Sequence, residues 1–232
     1  MILCRGWRAS QLDLERHLRR LLRYLEVDCV LDVGANSGQF ADMLRSTVGY
    51  AGLIISFEPN PEQFIELRAR ASRDPLWQAV PQALGREAGE AEFNVYASSE
   101  LSSLRSLDPG AGHQPADPVA RQIRVDVRTL AECLPELQER YGFSRPFLKM
   151  DTQGFDVEIA KGAGSRLTDF VGLQSEVAFQ RLYQGAPDFQ SALAFYEASG
   201  FVLARLTPVH ELHFPELVEM DCVMVRKDLV RS

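Results

Sequence analysis

The feature that most constrains the fold is a glycine-containing turn placed between an apolar strand and a helix. Residues Cys29 to Val33 form a compact apolar run that contains Asp32, and they lead directly into the turn Gly34 to Gly38. A helical pattern begins near Gln39. In doubly wound α/β sheets, the first strand-to-helix turn lies where ligands bind, outside the carboxyl ends of the strands. The segment therefore predicts a ligand-binding turn in an α/β protein.

The same strand, turn and helix order repeats along the chain. Two apolar segments near the C-terminus, Phe201 to Leu206 and Glu219 to Arg226, predict a closing antiparallel hairpin. This alternation indicates a doubly wound, mostly parallel sheet with helices on both faces. The other predicted strands are Gly52 to Phe57, Trp77 to Ala83, Pro146 to Met150 and Val171 to Val177, and the helices are 62–72, Thr129 to Tyr141, Phe155 to Lys161 and Phe189 to Ser199.

Two parts of the chain fall outside this alternation. Leucines at helical spacing predict an amphipathic helix from Ser10 to Glu26 with Ser10 as its N-cap. Residues Ala91 to Tyr96 and Gln122 to Val127 predict an inserted antiparallel strand pair, joined by the polar loop Ser98 to Pro118. We interpret 1–27 as an N-terminal helical extension and 28–232 as a single globular domain.

Charge and composition limit the classes of partner. The 232 residues carry a formal net charge of −7, and the pI is near 5.2. An extended electropositive surface for nucleic acid is therefore not expected. No apolar run reaches the roughly 20 residues of a membrane span, and the N-terminus lacks a signal-peptide pattern. We expect a cytoplasmic protein, for which a homo-oligomer is compatible with the sequence.

The cysteines offer no metal site. Cys4, Cys29, Cys133 and Cys222 are far apart, with no C-x-x-C pair and no neighbouring histidine cluster. We therefore expect reduced thiols that pack as small hydrophobic side chains, and we assign no metal ligand.

An acid at the end of the second strand sharpens the prediction for the glycine turn. Glu58 follows Gly34 by 24 residues, a position from which a carboxylate can accept hydrogen bonds from ribose hydroxyls. The dinucleotide pattern G-x-G-x-x-G would need glycine at 36 and a small residue at 39, whereas this chain has Asn36 and Gln39. Asp32 could instead receive the ammonium group of a methionine moiety, directly or through water. A cofactor such as S-adenosylmethionine is favoured over NAD, which stays the alternative.

Three ordered motifs carry a resemblance to a known family. The chain reads DVGANSG at 32–38, FEPNP at 57–61 and LKMDTQGFDVE at 148–158. In this it resembles the FkbM family of methyltransferases. The resemblance implies a Rossmann-like, seven-stranded fold that uses S-adenosylmethionine, commonly to methylate hydroxyl groups of sugars or secondary metabolites. The acceptor would then be a small molecule or a glycan.

The resemblance also implies positions for the cofactor. The methionine end would contact the first turn, the ribose would contact the end of the second strand, and the adenine would lie against the end of the third. The residues carried over are Asp32, Gly34, Ala35, Asn36 and Gly38 for the methionine end, Glu58 and Pro59 for the ribose, and Ala83 and Leu84 for the adenine.

The candidate catalytic residues follow later strands. Asp151 ends the fourth core strand, and Lys149 should share its face of that strand. Attraction to Lys149 would keep Asp151 ionised, which suits a substrate anchor or a metal ligand better than a strong base. A structural Lys149–Asp151 ion pair is the alternative. Glu176 ends the fifth strand on the same edge and could hold a substrate hydroxyl.

Residues outside the sheet supply further candidates. His210, like His213, lies in a late loop and has a side chain suited to general base catalysis. Arg105 in the inserted loop could reach an anionic acceptor. Asp156 and Glu158 are expected to occupy the first helical turn, where acids suit the helix dipole, in a structural role. The alternatives to an S-adenosylmethionine-dependent methyltransferase are an NAD-dependent dehydrogenase or epimerase and a non-catalytic nucleotide-binding module.

Overall fold

The computed structural model describes residues 3–110, 119–209 and 215–230. Strands and helices alternate through most of this length. The helices are α1 (Leu3–Tyr24), α2 (Gln39–Met43), α3 (Pro61–Ala71), α4 (Leu130–Tyr141), α5 (Asp156–Gly162) and α6 (Phe189–Ala198). The strands are β1 (Cys29–Val33), β2 (Leu53–Phe57), β3 (Trp77–Val80), β4 (Ala83–Leu84), β5 (Gly89–Tyr96), β6 (Val119–Arg128), β7 (Pro146–Met150), β8 (Gly172–Ala178), β9 (Phe201–Pro208) and β10 (Glu219–Arg226).

Seven strands form the main sheet in the order β3-β2-β1-β7-β8-β10-β9. The first five of these are parallel, whereas β10 runs antiparallel to both β8 and β9. The predicted doubly wound sheet with a closing antiparallel hairpin is therefore confirmed. The strand order reverses between β1 and β7, and the crevice outside their carboxyl ends is the expected ligand site of such a sheet.

Apolar side chains cover both faces of the sheet. Leu31 and Ile55 pack on one face with α4, α5 and α6, while Val30 and Ile54 pack on the other with α1 and α3. Leucines along α1 are buried in this second core. The helix that was predicted as an extension thus contributes directly to the packing of the sheet. Its predicted N-cap was wrong, because α1 already begins at Leu3 and no proline interrupts the chain before Ser10.

The inserted strand pair forms a second, three-stranded sheet. As predicted, β5 and β6 pair antiparallel, but β4 adds a short parallel strand beside β6. The predicted strand Trp77 to Ala83 is therefore divided between the two sheets. Pro81 supplies the physical reason, because proline has no amide hydrogen to donate to a sheet.

Local signals fix the start of two helices. Asn60 caps α3 by accepting a hydrogen bond from the Glu62 amide, with Pro61 in the first turn. Thr129 and Glu132 form a capping box at the start of α4. In the described part of the chain, no helix combines the length and the hydropathy that a membrane span requires.

Candidate active site

A cavity of about 670 Å³ opens at the carboxyl ends of β1, β2, β7 and β8. Residues of α1, α2, β10, the end of β9 and the three-stranded sheet also line it. Of the residues predicted from sequence, those that line it are Gly34, Ala35, Asn36, Glu58, Pro59, Ala83, Leu84, Lys149, Asp151 and Glu176. The structure thus brings most of the candidate residues into one space.

The glycine turn adopts the left-handed conformations that its sequence indicates. Gly34 has φ +73° and Asn36 has φ +50°. A Cβ atom on Gly34 would lie 2.0 Å from the backbone oxygen of Asp151, so glycine permits the close contact between the ends of β1 and β7. Gly38, with φ +98°, faces the Trp77 ring instead of the cavity. Its predicted contact with a methionine group is therefore not supported by its position.

Glu58 links the end of β2 to this turn. Its carboxylate accepts hydrogen bonds from the amides of Asn36 and Asn60, each at 2.8 Å. The side chain is buried yet lines the cavity. Burial raises the pKa of Glu58 to about 7, although the two amide donors act in the opposite direction. A ligand hydroxyl could still donate to the free lone pairs of this carboxylate.

Asp32 does not occupy the position that the sequence suggested. It is fully buried, and its carboxylate lies 2.9 Å from Lys149 Nζ and accepts a hydrogen bond from Ser56 Oγ at 3.1 Å. The Ser56 hydroxyl in turn accepts from Trp77 Nε1 at 2.9 Å. These contacts hold Asp32 beneath the cavity wall, so direct contact with a cofactor ammonium is a prediction that the structure does not support.

Lys149 therefore has a different main partner from the one predicted. Its ammonium nitrogen is 3.8 Å from Asp151 Oδ2, farther than from Asp32. Burial tends to lower the pKa of Lys149, but the Asp32 and Asp151 carboxylates outweigh burial and raise it. The ammonium stays charged. Asp151, whose side chain is 46% exposed, remains available to a ligand.

Gln153 joins Asp151 to Glu176. Its amide nitrogen lies 3.0 Å from Asp151 Oδ1 and 3.2 Å from Glu176 Oε2. The Tyr183 hydroxyl, 2.8 Å from Gln153 Oε1, fixes the orientation of the amide. Gln153 has φ +56°, an unusual conformation for a residue with a side chain. The motif at 148–158 contains this glutamine, but the sequence did not reveal that Gln153 bridges Asp151 and Glu176.

Strand β10 adds two acids that sequence reasoning missed. Glu219 and Asp221 line the cavity beside Glu176, and Asp221 is paired directly with Glu176 in the antiparallel register. Burial and neighbouring carboxylates raise the pKa values of Glu219 and Asp221 to about 7, and they raise that of Glu176 as well. The sequence did show that these two acids lie on one face of a predicted strand, because they are two residues apart. It did not show that this strand pairs with β8.

The two acids of α5 differ from each other. Asp156 is buried and accepts hydrogen bonds from the amide and hydroxyl of Thr152 and from Ser175 Oγ. The Glu176 amide also donates to it at 3.0 Å. Both acids lie in the first turn of α5, as predicted, and Asp156 has a structural role there, because it ties the turn after β7 to β8. Glu158 forms an ion pair with Lys161 at 2.8 Å.

The inserted segment is fastened over the same turn. Ser103 Oγ lies 2.9 Å from the Gln153 carbonyl oxygen, and Asn36 Nδ2 donates to Ser99 Oγ. Arg105 donates to the backbone oxygens of Gly154 and Gln184, each at 2.9 Å. Two of its five N–H donors are therefore used by the protein itself, and the contact between Arg105 and an anionic acceptor stays a prediction.

Two predictions cannot be placed. His210 and His213 lie outside the described residues, within 210–214. Across the described ranges, no group of three or more His, Cys, Asp or Glu side chains is arranged to hold a metal ion.

Known structures share only a distant likeness with the chain. An FkbM methyltransferase from Methylobacillus flagellatus KT has 15% identity and a TM-score of 0.49, over 84% of this chain and 43% of that one. The chain thus spans less than half the length of that protein. The magnesium protoporphyrin IX methyltransferase ChlM from Synechocystis PCC 6803, crystallised with bound SAM, has 10% identity and a TM-score of 0.49, covering 94% and 81%. The fibrillarin pre-rRNA processing protein of Methanococcus jannaschii has the same identity and score, covering 87% and 67%.

Comparison with sequence families gives a clearer result. No curated protein sequence matches the chain significantly. Residues 32–203, well over half of the chain, match the Methyltransferase FkbM domain. This range contains the glycine turn, Glu58 and the Lys149–Asp151 segment that together surround the cavity. The chain belongs to the FkbM methyltransferase family.

Proposed function

We propose that this protein uses S-adenosylmethionine to methylate a hydroxyl oxygen of a sugar or secondary metabolite. The observation that carries the proposal is the position of Glu58. Its buried carboxylate is hydrogen-bonded to the glycine turn and shares one cavity with the acids at the ends of β7 and β8. A ribose site and an acceptor site would then be neighbours.

The residues present fit this cofactor. Gly34, Ala35 and Asn36 offer a turn with room for a methionine group, and Glu58 offers acceptors for two ribose hydroxyls. Pro59, Ala83 and Leu84 form an apolar wall suited to adenine. Asn36 and Gln39 replace the small residues that a pyrophosphate would need, so NAD is the weaker candidate.

The chemistry requires little beyond positioning and proton transfer. Bound S-adenosylmethionine would supply an electrophilic methyl group. Asp151 would orient the acceptor by accepting a hydrogen bond from a ligand group beside the reacting hydroxyl, and Gln153 holds that carboxylate in place. Glu176 would take the proton, because its raised pKa suits a general base better than an ordinary carboxylate does.

The charge of the chain favours a small acceptor. A net charge of −7 and a cavity lined by several acids are poorly matched to a phosphate backbone. We therefore include a small molecule or a glycan, and no nucleic acid, in the proposal.

Isothermal titration with S-adenosylhomocysteine and with NAD tests the cofactor assignment. We expect micromolar binding of S-adenosylhomocysteine and none of NAD. Binding of NAD alone would overturn the proposal in favour of a dehydrogenase. Binding of S-adenosylhomocysteine without transfer of a tritiated methyl group to any of a broad panel of sugars, amino sugars and polyols would indicate a non-catalytic module.

A further inference from the structure

The cavity wall formed by β8 and β10 is lined with acids. Asp221 lies opposite Glu176 in the strand register, and Glu219 lies two residues away on the same face of β10. Asp151 approaches from the end of β7. We call Glu176, Glu219 and Asp221 the acidic wall.

The protein provides little positive charge to balance this wall. Among the described residues that line the cavity, Lys149 is the only basic one, and its closest carboxylate is the buried Asp32 at 2.9 Å. Burial, followed by repulsion from Asp151, raises the pKa values of Glu219 and Asp221. Across the described part of the chain, no basic side chain forms an ion pair with Glu219 or Asp221, whereas Lys149 pairs with Asp32 and Asp151.

Gln174 gives a second, independent indication of a ligand. This residue of β8 lines the cavity and is only 4% exposed. Its Nε2 donates to Asp221 Oδ1 at 3.1 Å, but its buried Oε1 has no hydrogen-bond partner among the described residues. Buried polar atoms are almost always paired, so an acceptor without a donor at a cavity wall indicates a missing N–H or O–H group.

We propose that the methyl acceptor carries a protonated amine that binds to Glu219 and Asp221 of the acidic wall and to Gln174 Oε1. This inference rests on the proposed function and names the class of its substrate. An ammonium group has three donors and one positive charge, which match Gln174 Oε1 and the carboxylates of Glu219 and Asp221. A neutral hydroxyl would satisfy Gln174 but would leave the acids without a counter-charge.

The amine would be an anchor and not the atom that is methylated. A protonated nitrogen has no lone pair with which to attack a methyl group. The neighbouring hydroxyl would be the nucleophile, and its proton would pass to Glu176 as the oxygen takes the methyl group, while Asp151 positions the acceptor. An amino alcohol or amino sugar has both groups on adjacent carbons and fits this arrangement.

The test uses the full chain saturated with S-adenosylhomocysteine and compares two probes by isothermal titration near pH 7. D-Glucosamine carries the amine, and N-acetyl-D-glucosamine has the same ring without the charge. We expect glucosamine to bind at least about tenfold more tightly, the ratio that corresponds to one charge-assisted hydrogen bond. Asp221→Asn, Glu219→Gln and Gln174→Leu should each remove most of this preference. Glu66→Gln, an exposed acid on α3, is the matched control and should leave it intact.

Affinity for S-adenosylhomocysteine is measured first in every variant, which shows whether the protein is folded and separates this inference from the cofactor assignment. If wild-type protein fails to bind S-adenosylhomocysteine, the proposed function fails. If S-adenosylhomocysteine binds but glucosamine shows no preference or no binding at millimolar concentration, only the amine inference is overturned. Displacement of glucosamine by MgCl₂ at matched ionic strength would also overturn it, since the acidic wall would then bind a metal. So would a loss of S-adenosylhomocysteine affinity in Asp221→Asn as large as the loss of glucosamine affinity, since the wall would then bind the cofactor.

Discussion

Lys149 Nζ lies 2.9 Å from Asp32 Oδ1 and 3.8 Å from Asp151 Oδ2. One buried ammonium group therefore connects β1, which leads into the glycine turn, to Asp151, the candidate catalytic acid. The Lys149 and Asp32 side chains are 5% and 0% exposed. The pair fixes β1 against β7 at the point where the strand order reverses. Asp151 is consequently the member of this group that is left for a substrate.

Breaking the Lys149–Asp32 pair should be costly. Removal of one partner leaves a buried charge unpaired, and we expect Lys149→Met or Asp32→Asn to lower the free energy of unfolding by about 3–5 kcal/mol. The double variant should lose clearly less than the sum of the single losses. Urea denaturation measures all three values. Arg70→Met breaks the exposed pair between Arg70 and Asp42 and should cost under about 1 kcal/mol. Additive losses in the double variant would contradict the assigned pairing.

A substitution that adds a side chain should destabilise the protein more at Gly34 than at Gly49, a glycine of similar backbone conformation. Gly49 has φ +72° with nothing near its Cβ position, so Gly49→Ala should cost about 1–2 kcal/mol for the left-handed backbone alone. Gly34→Ala adds a clash with the Asp151 carbonyl oxygen and should cost about 1–3 kcal/mol more. Thermal denaturation of both variants gives the difference. Equal losses would mean that the turn after β7 can move away freely.

Glu58→Gln should weaken the binding of S-adenosylhomocysteine by about 1–3 kcal/mol, because the ribose loses a charged acceptor while the side-chain volume is kept. Titration calorimetry measures the effect, with Glu66→Gln as the control. An unchanged dissociation constant would remove Glu58 from the cofactor site.

The ligand-free protein should lose stability as the pH rises towards neutrality. Burial raises the folded-state pKa values of Glu219 and Asp221 to about 7, above those of the unfolded chain. The folded state then binds more protons, so stability falls as pH increases from about 4 to about 7. Asp221→Asn should reduce this slope, and Glu66→Gln should not. Melting temperatures across the pH range test both expectations, and an unaltered slope in Asp221→Asn would contradict the first.

Asp151→Asn should reduce turnover by about 10²-fold or more while S-adenosylhomocysteine binding is kept, because the acceptor loses its positioning carboxylate. Transfer of a tritiated methyl group to the acceptor panel is the measurement. Added Mg²⁺ should not change the loss. Full activity would assign Asp151 a purely structural role.

Much of the fold could be predicted because its signals are local. The alternation of apolar strands and helices specified the doubly wound sheet, and the pattern in Ala91 to Tyr96 and Gln122 to Val127 specified the insertion. Two local signals were misjudged. Pro81 ended β3 early, and α1 began before its expected cap.

The sequence also indicated that the candidate cofactor residues Gly34, Asn36 and Glu58 lie together, since they belong to short motifs at the ends of adjacent strands and line one cavity. The contacts of Asp32, Gly38 and Arg105 were not visible there. Each depends on a distant part of the chain: Lys149 beside Asp32, the Trp77 ring against Gly38, and the backbone of Gly154 beside Arg105.

Short stretches of sequence specified the strand-turn-helix order, the left-handed glycine turn and the acid at the end of β2, because backbone preference and apolar periodicity act over a few residues. The partner of Lys149 and the meeting of Glu176 with Glu219 and Asp221 depend instead on tertiary contacts. Glu219 and Asp221 follow Glu176 by more than forty residues in the chain. Their proximity follows from the antiparallel insertion of β10 between β8 and β9, which strand-by-strand patterns do not encode.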